Sequence, residues 1–461
     1  MASSHTYSLP CWSGRGGSTA TSVDSRAFIF GGADRTGNLF GDLISVDPPT
    51  GTSRVISASG GDGAPPIGGH AATGICVDWA WQPCASADGA AAEDNVGGTL
   101  VATAAGGTRA LVVFGGINFA EETAYGGLWE WAADGDSGVW RCLTDDVVER
   151  ARGAVPRGRT GHSLSSVPPP VVLAASPAGA DGGSTFDDEL LGPKPPPVAL
   201  STVPGASAEA ALAVLFGGST PSDGPLNDTW FLRVAACQSG SAEEASGDEP
   251  VRSNAAARTY EWESLTTASG AAPPAPRELH AAFVRPAVVR LAAPLPADTP
   301  TPPKDVLVHV LAPPALIVHG GRCADGTPRV DLCVLDLMAR VWLPQVRSPH
   351  ARCAAAAAAS PRSFRMFEFG GQASMEALSA TLIELDTSGA DLLSEGMEPD
   401  EAVGLRPAEW TWRVRALAVP RPARFAAAAV AFSRGAKTCD LLVVGGMTAA
   451  EDLAEVLVVK L

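Results

Sequence analysis

The chain has 461 residues, 46% hydrophobic and 18% charged, with a formal net charge of −17 at pH 7. That surplus of acid argues against nucleic acid or an anionic membrane as a partner of the whole surface. Abundant glycine (50) and proline (38) point to tight turns and short strands rather than long helices.

Nine cysteines, an odd number with no C-x-x-C pair, fit reduced thiols better than a secreted disulfide frame. Met1 to Trp12 lacks a basic n-region and an apolar h-region, and no apolar run reaches the roughly 18 residues of a membrane helix. The expectation is a cytoplasmic protein without signal peptide or transmembrane segment.

In chain order, the first element is a short strand over Thr6-Tyr7-Ser8-Leu9. Six apolar runs follow, each stopped by a glycine pair: Gly31-Gly32, Gly115-Gly116, Gly217-Gly218, Gly320-Gly321, Gly370-Gly371 and Gly445-Gly446. A β-rich run ending in two glycines reads as a strand entering a turn that needs positive φ. A second strand follows each pair, as in Asp42 to Asp47, Asn227 to Leu232 and Asp331 to Asp336. The sequon Asn227-Asp228-Thr229 is read as part of such a turn. Four units then carry a tryptophan strand, at Trp140, Trp262, Trp342 and Trp410, each a hydrophobic wedge between neighbouring sheets. Ala354–Ala359 and Ala426–Ala429 fall where a first strand belongs, small enough for crowding near an axis; a short helix over Ala354–Ala359 is the rival.

Each unit opens with a proline, a basic residue and often Gly-His, most clearly in Pro156-Arg157-Gly158-Arg159-Thr160-Gly161-His162. Strand, Gly-Gly, strand, Trp strand and this opening together resemble the kelch repeat. The resemblance covers essentially the whole chain and implies an all-β fold, a six-bladed β-propeller of four-stranded antiparallel blades. The blades run at about Gly14–Ile56, Pro65–Asp146, Pro156–Thr267, Pro274–Val346, His350–Arg415 and Pro420–Leu461. The sixth lacks its fourth strand, which residues 1–12 are expected to supply, since a closed ring leaves no open sheet edge.

Inserts at about 76–108, 166–209, 236–257, 285–314 and 387–407 are rich in Ala, Gly, Pro, Ser and acids. Such composition predicts segments without order of their own, either solvated loops or docking arms. Strand alternation sends them all to one face. Trp79 and Trp81, inside the first insert, read as an end plug or a local strand, with exposed partner anchors as the alternative.

Arginines recur on the opposite face: Arg15, Arg157, Arg159, Arg277, Arg352, Arg421 and Arg424, with Ile67-Gly68-Gly69 in the second blade instead. Arginine forks bind carboxylates bidentately. Kelch propellers that bind acidic peptides use arginines at equivalent positions, so the resemblance implies a peptide pocket built on Arg15, Arg157, Arg159, Arg277, Arg352 and Arg424. Alternatively, each arginine ties down its own turn. His70, His162 and His280 share one repeat phase but sit on separate strands, so a metal site is not expected; His5, His309, His319 and His350 look isolated.

No P-loop, G-x-S-x-G or H-E-x-x-H stands in the chain. Copper-radical oxidases share the propeller architecture but need a Tyr–Cys site, and Tyr7, Tyr125 and Tyr260 do not suit it. Specifier proteins hold iron through Glu-x-x-x-Asp-x-x-x-His; here Asp305 and His309 match but Thr301 stands in place of Glu. The expectation is a monomeric, non-catalytic scaffold or adaptor binding a protein partner through its loops, with no cofactor. The alternative is a propeller enzyme acting on a small molecule or carbohydrate at the channel mouth.

Overall fold

The computed structural model describes residues 2–23, 26–56, 66–76, 99–101, 109–118, 121–134, 137–143, 155–173, 197–204, 213–235, 259–265, 272–292, 306–360, 364–388, 405–433 and 438–461. Among the described residues there is no α-helix, and two short 3₁₀ turns, Leu200–Thr202 and Pro407–Glu409, interrupt an all-β chain. No helix among them is long and apolar enough to cross a membrane.

Six antiparallel sheets of four strand positions each take up most of these residues. Sheet I consists of Thr19–Val23, Arg26–Phe30, Leu43–Val46 and Ser53–Ile56, and sheet II of Ala71–Cys76, Arg109–Phe114, Leu128–Asp134 and Ser137–Cys142. Sheet III holds Ser163–Ser166, Ala213–Phe216, Thr229–Ala235 and Thr259–Ser264. Sheet IV holds Ala281–Arg285, Ala315–His319 and Asp331–Asp336, with Val341–Trp342 and Val346–Arg347 sharing its fourth position. Sheet V holds Ala356–Ala359, Arg365–Phe369, Leu382–Asp386 and Thr411–Arg415.

Sheet VI joins the two ends of the chain. Ala428–Ser433, Cys439–Val444 and Glu455–Lys460 are followed by Ser3–Ser8, paired antiparallel from Ser3 opposite Lys460 to Ser8 opposite Glu455. The first strands of the sheets are neighbours in sequence order, I to VI, and the sixth also touches the first.

A cycle of backbone hydrogen bonds links the turns that lead into those strands. The N–H of Gly69 donates to Gly17 O, Gly161 to Gly69 O, Leu279 to Gly161 O, Ala354 to Leu279 O, Ala426 to Ala354 O and Gly17 to Ala426 O, at 2.7–2.9 Å. All six residues have positive φ, from 53° to 65°. Glycine adopts that conformation freely, whereas Leu279, Ala354 and Ala426 are held in it against their preference.

The second glycine of each pair makes a further bond to the next sheet. Gly32 donates to Ile67 O, Gly116 to Arg159 O, Gly218 to Arg277 O, Gly321 to Arg352 O, Gly371 to Arg424 O and Gly446 to Arg15 O. A side chain on Gly320 would lie 2.2 Å from Arg352 O, so close approach as well as φ excludes one.

Apolar clusters fill the spaces between neighbouring sheets. Between I and II, for instance, Phe28, Phe30 and Leu43 meet Leu111, Val113, Trp131 and Trp140. The second and third strands are covered on both faces, which is why they read as unbroken apolar runs. Phe30, Phe114 and Phe216 pack on Trp140, Trp262 and Trp342 of the following sheet, with ring centroids 5.0, 5.2 and 5.3 Å apart. Each such contact adds about 1 kcal/mol beyond area burial. The fourth wedge is Trp412 rather than Trp410: the strand begins at Thr411, and Trp412 packs on His319. Ala356–Ala359 is a strand, not a helix, because its pairing with Met366–Phe369 overrides alanine's helical preference.

The reading of the inserts needs correction where they are described. Thr99–Val101, Val171–Leu173, Val198–Ala199, Val288–Leu291 and Leu307–Ala312 form one five-stranded sheet. They come from the inserts at 76–108, 166–209 and 285–314, each between the first and second strands of its sheet. Leu200, Val203, Ala287, Val289, Leu291 and Val308 form an apolar cluster there. Short β-branched runs shared among three inserts bury what none could bury alone. The insert at 236–257 and residues Trp79 and Trp81 lie outside the described residues, as does most of 387–407.

Candidate functional site

The turns carrying the arginines and the loops joining second to third strands lie at the same end of the sheets. Bridges such as Thr160 to Ser219 and Glu278 to Arg322 tie the two together.

Arg15, Arg159, Arg277 and Arg424 are buried. Each guanidinium donates to the carbonyl of the first glycine of its own sheet's pair: Gly31, Gly217, Gly320 and Gly445. Each also meets a carboxylate of that sheet. Arg15 pairs with Asp42 at 2.5 Å, Arg159 with Asp228 at 2.5 Å, Arg277 with Asp331 at 2.6 Å and Arg424 with Glu455 at 2.5 Å. Arg15 is further enclosed by the rings of Trp12 and Phe40, 4.0 and 3.5 Å from its guanidinium carbon. Burial pulls the Asp228 and Asp331 carboxyls upward, but the facing guanidiniums win and hold both below the ordinary aspartate range.

These four residues are therefore not open forks awaiting an acidic peptide. Their donors already face carbonyls and carboxylates, and a ligand would have to displace an internal ion pair. Arg352, also buried, departs from the pattern: it donates to the hydroxyl of Thr381 and the carbonyl of Ala351 rather than to a carboxylate, and its Nε has no hydrogen-bond partner among the described residues. Arg157 is the exposed one of the six, with 72% of its side chain accessible, and it pairs with Asp223 on the neighbouring loop.

The exposed groups at this end are mostly acidic. Glu121, Glu122, Asp223, Asp325, Glu376 and Glu451 stand on the loops of sheets II to VI. The cations among these loops are engaged internally. Arg35 binds Asp452 and the carbonyls of Ala450 and Thr448, and Arg322 binds Glu278. The expected basic face is thus largely neutralised: five of its six arginines are buried, and the exposed Arg157, Arg35 and Arg322 are paired with carboxylates of the neighbouring loops and turns.

His70 and His280 each bond a hydroxyl of the preceding first strand, Thr19 and Ser163, both at 2.9 Å. His162 occupies the same place, but Ala71 stands where the hydroxyl would be, and neither ring nitrogen has a partner among the described residues. The three rings stand edge-on to Phe30, Phe114 and Phe216 rather than converging. Burial pushes His70 and His280 down to about 3, and drives His162 well below its ordinary value with help from Arg159. Among the described residues no group of three His, Cys, Asp or Glu side chains is placed to hold a metal ion.

His319 and His350 are not isolated. His319 replaces the repeated phenylalanine of the second strand and is fully enclosed. Its Nδ1 lies 2.7 Å from Glu368 Oε1 and its Nε2 3.1 Å from the carbonyl of His350. Both histidine rings lie against Trp412. The phase of the repeat could have exposed this, since position 319 aligns with Phe30, Phe114, Phe216 and Phe369. Asp305 and Thr301 lie outside the described residues, while His309 belongs to the five-stranded sheet.

No protein-family model and no curated protein matches the chain.

Proposed function

We propose that this chain is a six-bladed β-propeller of the kelch type, acting as a monomeric, non-catalytic scaffold in the cytoplasm. It binds a protein partner through the loops between second and third strands. The observation that supports this reading is the cycle of six backbone hydrogen bonds that links the turns leading into the first strands. Binding residues gathered on loops over a rigid frame are the usual way such folds recognise partners. Fold alone does not distinguish scaffold from enzyme, so the reading rests on what the loop end offers. Its arginines are occupied structurally, and what faces solvent is a set of loop tips.

Affinity capture from native extract tests it. The wild type is compared with a variant carrying Ser222→Arg, Met375→Arg and Ala449→Arg, three exposed tip positions. Loss of a partner from the variant, with an unchanged thermal melt, supports the loop end as the binding surface. Recovery of the same partners by both proteins overturns it.

A further inference from the structure

In every sheet the first glycine of the pair donates its N–H to a residue at the start of the third strand: Asp42, Gly127, Asp228, Asp331, Thr381 or Glu455. This shared bond puts the six residues in one structural place. In sheets I, III, IV and VI that place holds the carboxylate that meets the buried arginine. Sheet II lacks both partners, with Ile67 in the arginine position and Gly127 in the acid position. Sheet V lacks only the acid: Arg352 is present, and Thr381 stands opposite it. A buried charge without its partner is strongly destabilising, so an arginine kept here alone calls for another source of anion.

Arg352 is 6% exposed. Its Nη2 donates to Thr381 Oγ1, so the guanidinium is aimed at the vacant carboxylate place. Its Nη1 reaches the carbonyl of Ala351 at 3.5 Å, and its Nε has no hydrogen-bond partner among the described residues. The carboxylate whose field reaches it, Glu368, is bonded to His319 instead. Burial works against the charge of Arg277 and Arg352 alike. At Arg277 the hydrogen-bonded Asp331 prevails and raises the guanidinium above the ordinary arginine range, whereas at Arg352 burial prevails over Glu368 and lowers it.

The vacant place is reachable from solvent. The four carboxylates that fill it elsewhere keep 14–40% of their side chains accessible, and Thr381 is exposed. The hydroxyl of buried Ser379 lies 2.9 Å from that of Thr381. Two hydroxyls carry two protons and the bond between them uses one, which leaves the other for a ligand.

We propose that the arginine turn of sheet V binds a carboxylate from outside the chain, in the place that Asp42, Asp228, Asp331 and Glu455 fill in their own sheets. Arg352 pairs with it, and the Thr381–Ser379 hydroxyls donate a further bond. A planar carboxylate suits the fork, since in sheets I, III and IV the equivalent guanidinium holds one through both of its terminal nitrogens. The inference rests on the scaffold reading above: the carboxylate belongs to the bound partner, on an acidic side chain or at a chain terminus.

The test is ligand-observed NMR on the full chain, which reads weak binding. One probe is glutamate blocked at both ends, with a side-chain carboxylate; the other is alanine blocked at its amine, with a terminal one. Blocked glutamine and inorganic phosphate are the comparison ligands. Thr381→Asp supplies the missing acid from within. This variant is expected to melt higher than the wild type, because it completes the ion pair, and to bind the probes about tenfold more weakly. Arg352→Met is expected to lose binding to the same degree. Arg406→Gln, which removes an exposed arginine between the third and fourth strands of sheet V, is expected to bind like the wild type. The probe that binds more tightly identifies the source of the carboxylate. Undiminished binding by Thr381→Asp, an equal loss in Arg406→Gln, or a lower melt for Thr381→Asp would overturn the proposal. Tighter binding of phosphate than of either probe, or equal binding of blocked glutamine, would overturn the carboxylate assignment. Absence of probe binding by the wild type would overturn this site alone, since the capture experiment at Ser222, Met375 and Ala449 judges the scaffold reading separately.

Discussion

Arg277 donates to both oxygens of Asp331, from Nη1 at 3.0 Å and from Nη2 at 2.6 Å, while the same Nη1 reaches the carbonyl of Gly320. One buried guanidinium thus fixes the glycine turn and the start of the third strand. The backbone carbonyl of Arg277 accepts from Gly218 of the preceding sheet, so the residue also joins two sheets.

Removing that guanidinium strands a carboxylate. Arg277→Met is expected to lower unfolding stability by about 3 kcal/mol in urea titration. The pair also sets an acid limit. Asp331 titrates lower in the folded chain than in the unfolded one, so its stabilisation is present above pH ~4 and is lost as pH falls through the folded value. The wild type should lose stability more steeply than Arg277→Met below pH ~4, and equal slopes would refute the assignment.

His162 lacks what its two counterparts have. Ala71→Ser places a hydroxyl where Thr19 serves His70 and Ser163 serves His280. The variant is expected to be more stable by about 1 kcal/mol, since it pairs a buried polar ring without adding much volume. A lower melting temperature would count against the equivalence of the three sites.

Buried neutral histidines make a second pH window. His70 titrates at about 3 in the fold, held down by burial, against an ordinary value of 6.5. The unfolded chain takes up a proton first as pH falls below 6.5, so stability declines from there toward the folded value. Each such group contributes a slope of about 1.4 kcal/mol per pH unit between these limits. His70→Leu should be less stable at pH 8 yet flatter by about that amount from pH ~6 to ~4. An unchanged slope in urea titrations across this range would show that His70 titrates normally.

Deleting residues 1–12 removes the strand Ser3–Ser8 and the Trp12 ring beside Arg15. Glu455–Lys460 then becomes an edge of apolar residues with unpaired backbone groups. The truncated chain is expected to melt several degrees lower and to scatter light on warming; an unaltered melting curve would show that the pairing contributes little.

Much of this architecture was legible because its signal repeats. Glycine pairs in one phase mark six strand ends, and the missing last strand points to the spare one at the start. The arginine pairing was legible in principle, since Asp42 and Asp228 stand directly before a third strand and Asp331 opens one. It needed the step of comparing their phase with that of the arginines. The His319–Glu368 contact depends on one departure from the repeat, a histidine in a phenylalanine position, and departures are visible only once the repeat is aligned. The five-stranded sheet was hidden for a different reason. Its strands are runs such as Val171-Val172-Leu173 and Val288-Val289-Arg290-Leu291, set in alanine- and proline-rich surroundings. Val171–Leu173 takes both its partners, and Val288–Leu291 one of its two, from other inserts far along the chain, so no local pattern announces the sheet.

The circle of amides through Gly17, Gly69, Gly161, Leu279, Ala354 and Ala426 has a chemical corollary. Every amide in it donates to the carbonyl of the preceding member, so the six bonds follow one rotational sense. Each of the six N–H groups already has a carbonyl from within the circle. A molecule settling at the hub therefore meets a saturated collar rather than the nest of free amides that captures anions in other folds. Selectivity must come from side chains that overhang the collar, and changes of specificity can accumulate there without disturbing the frame.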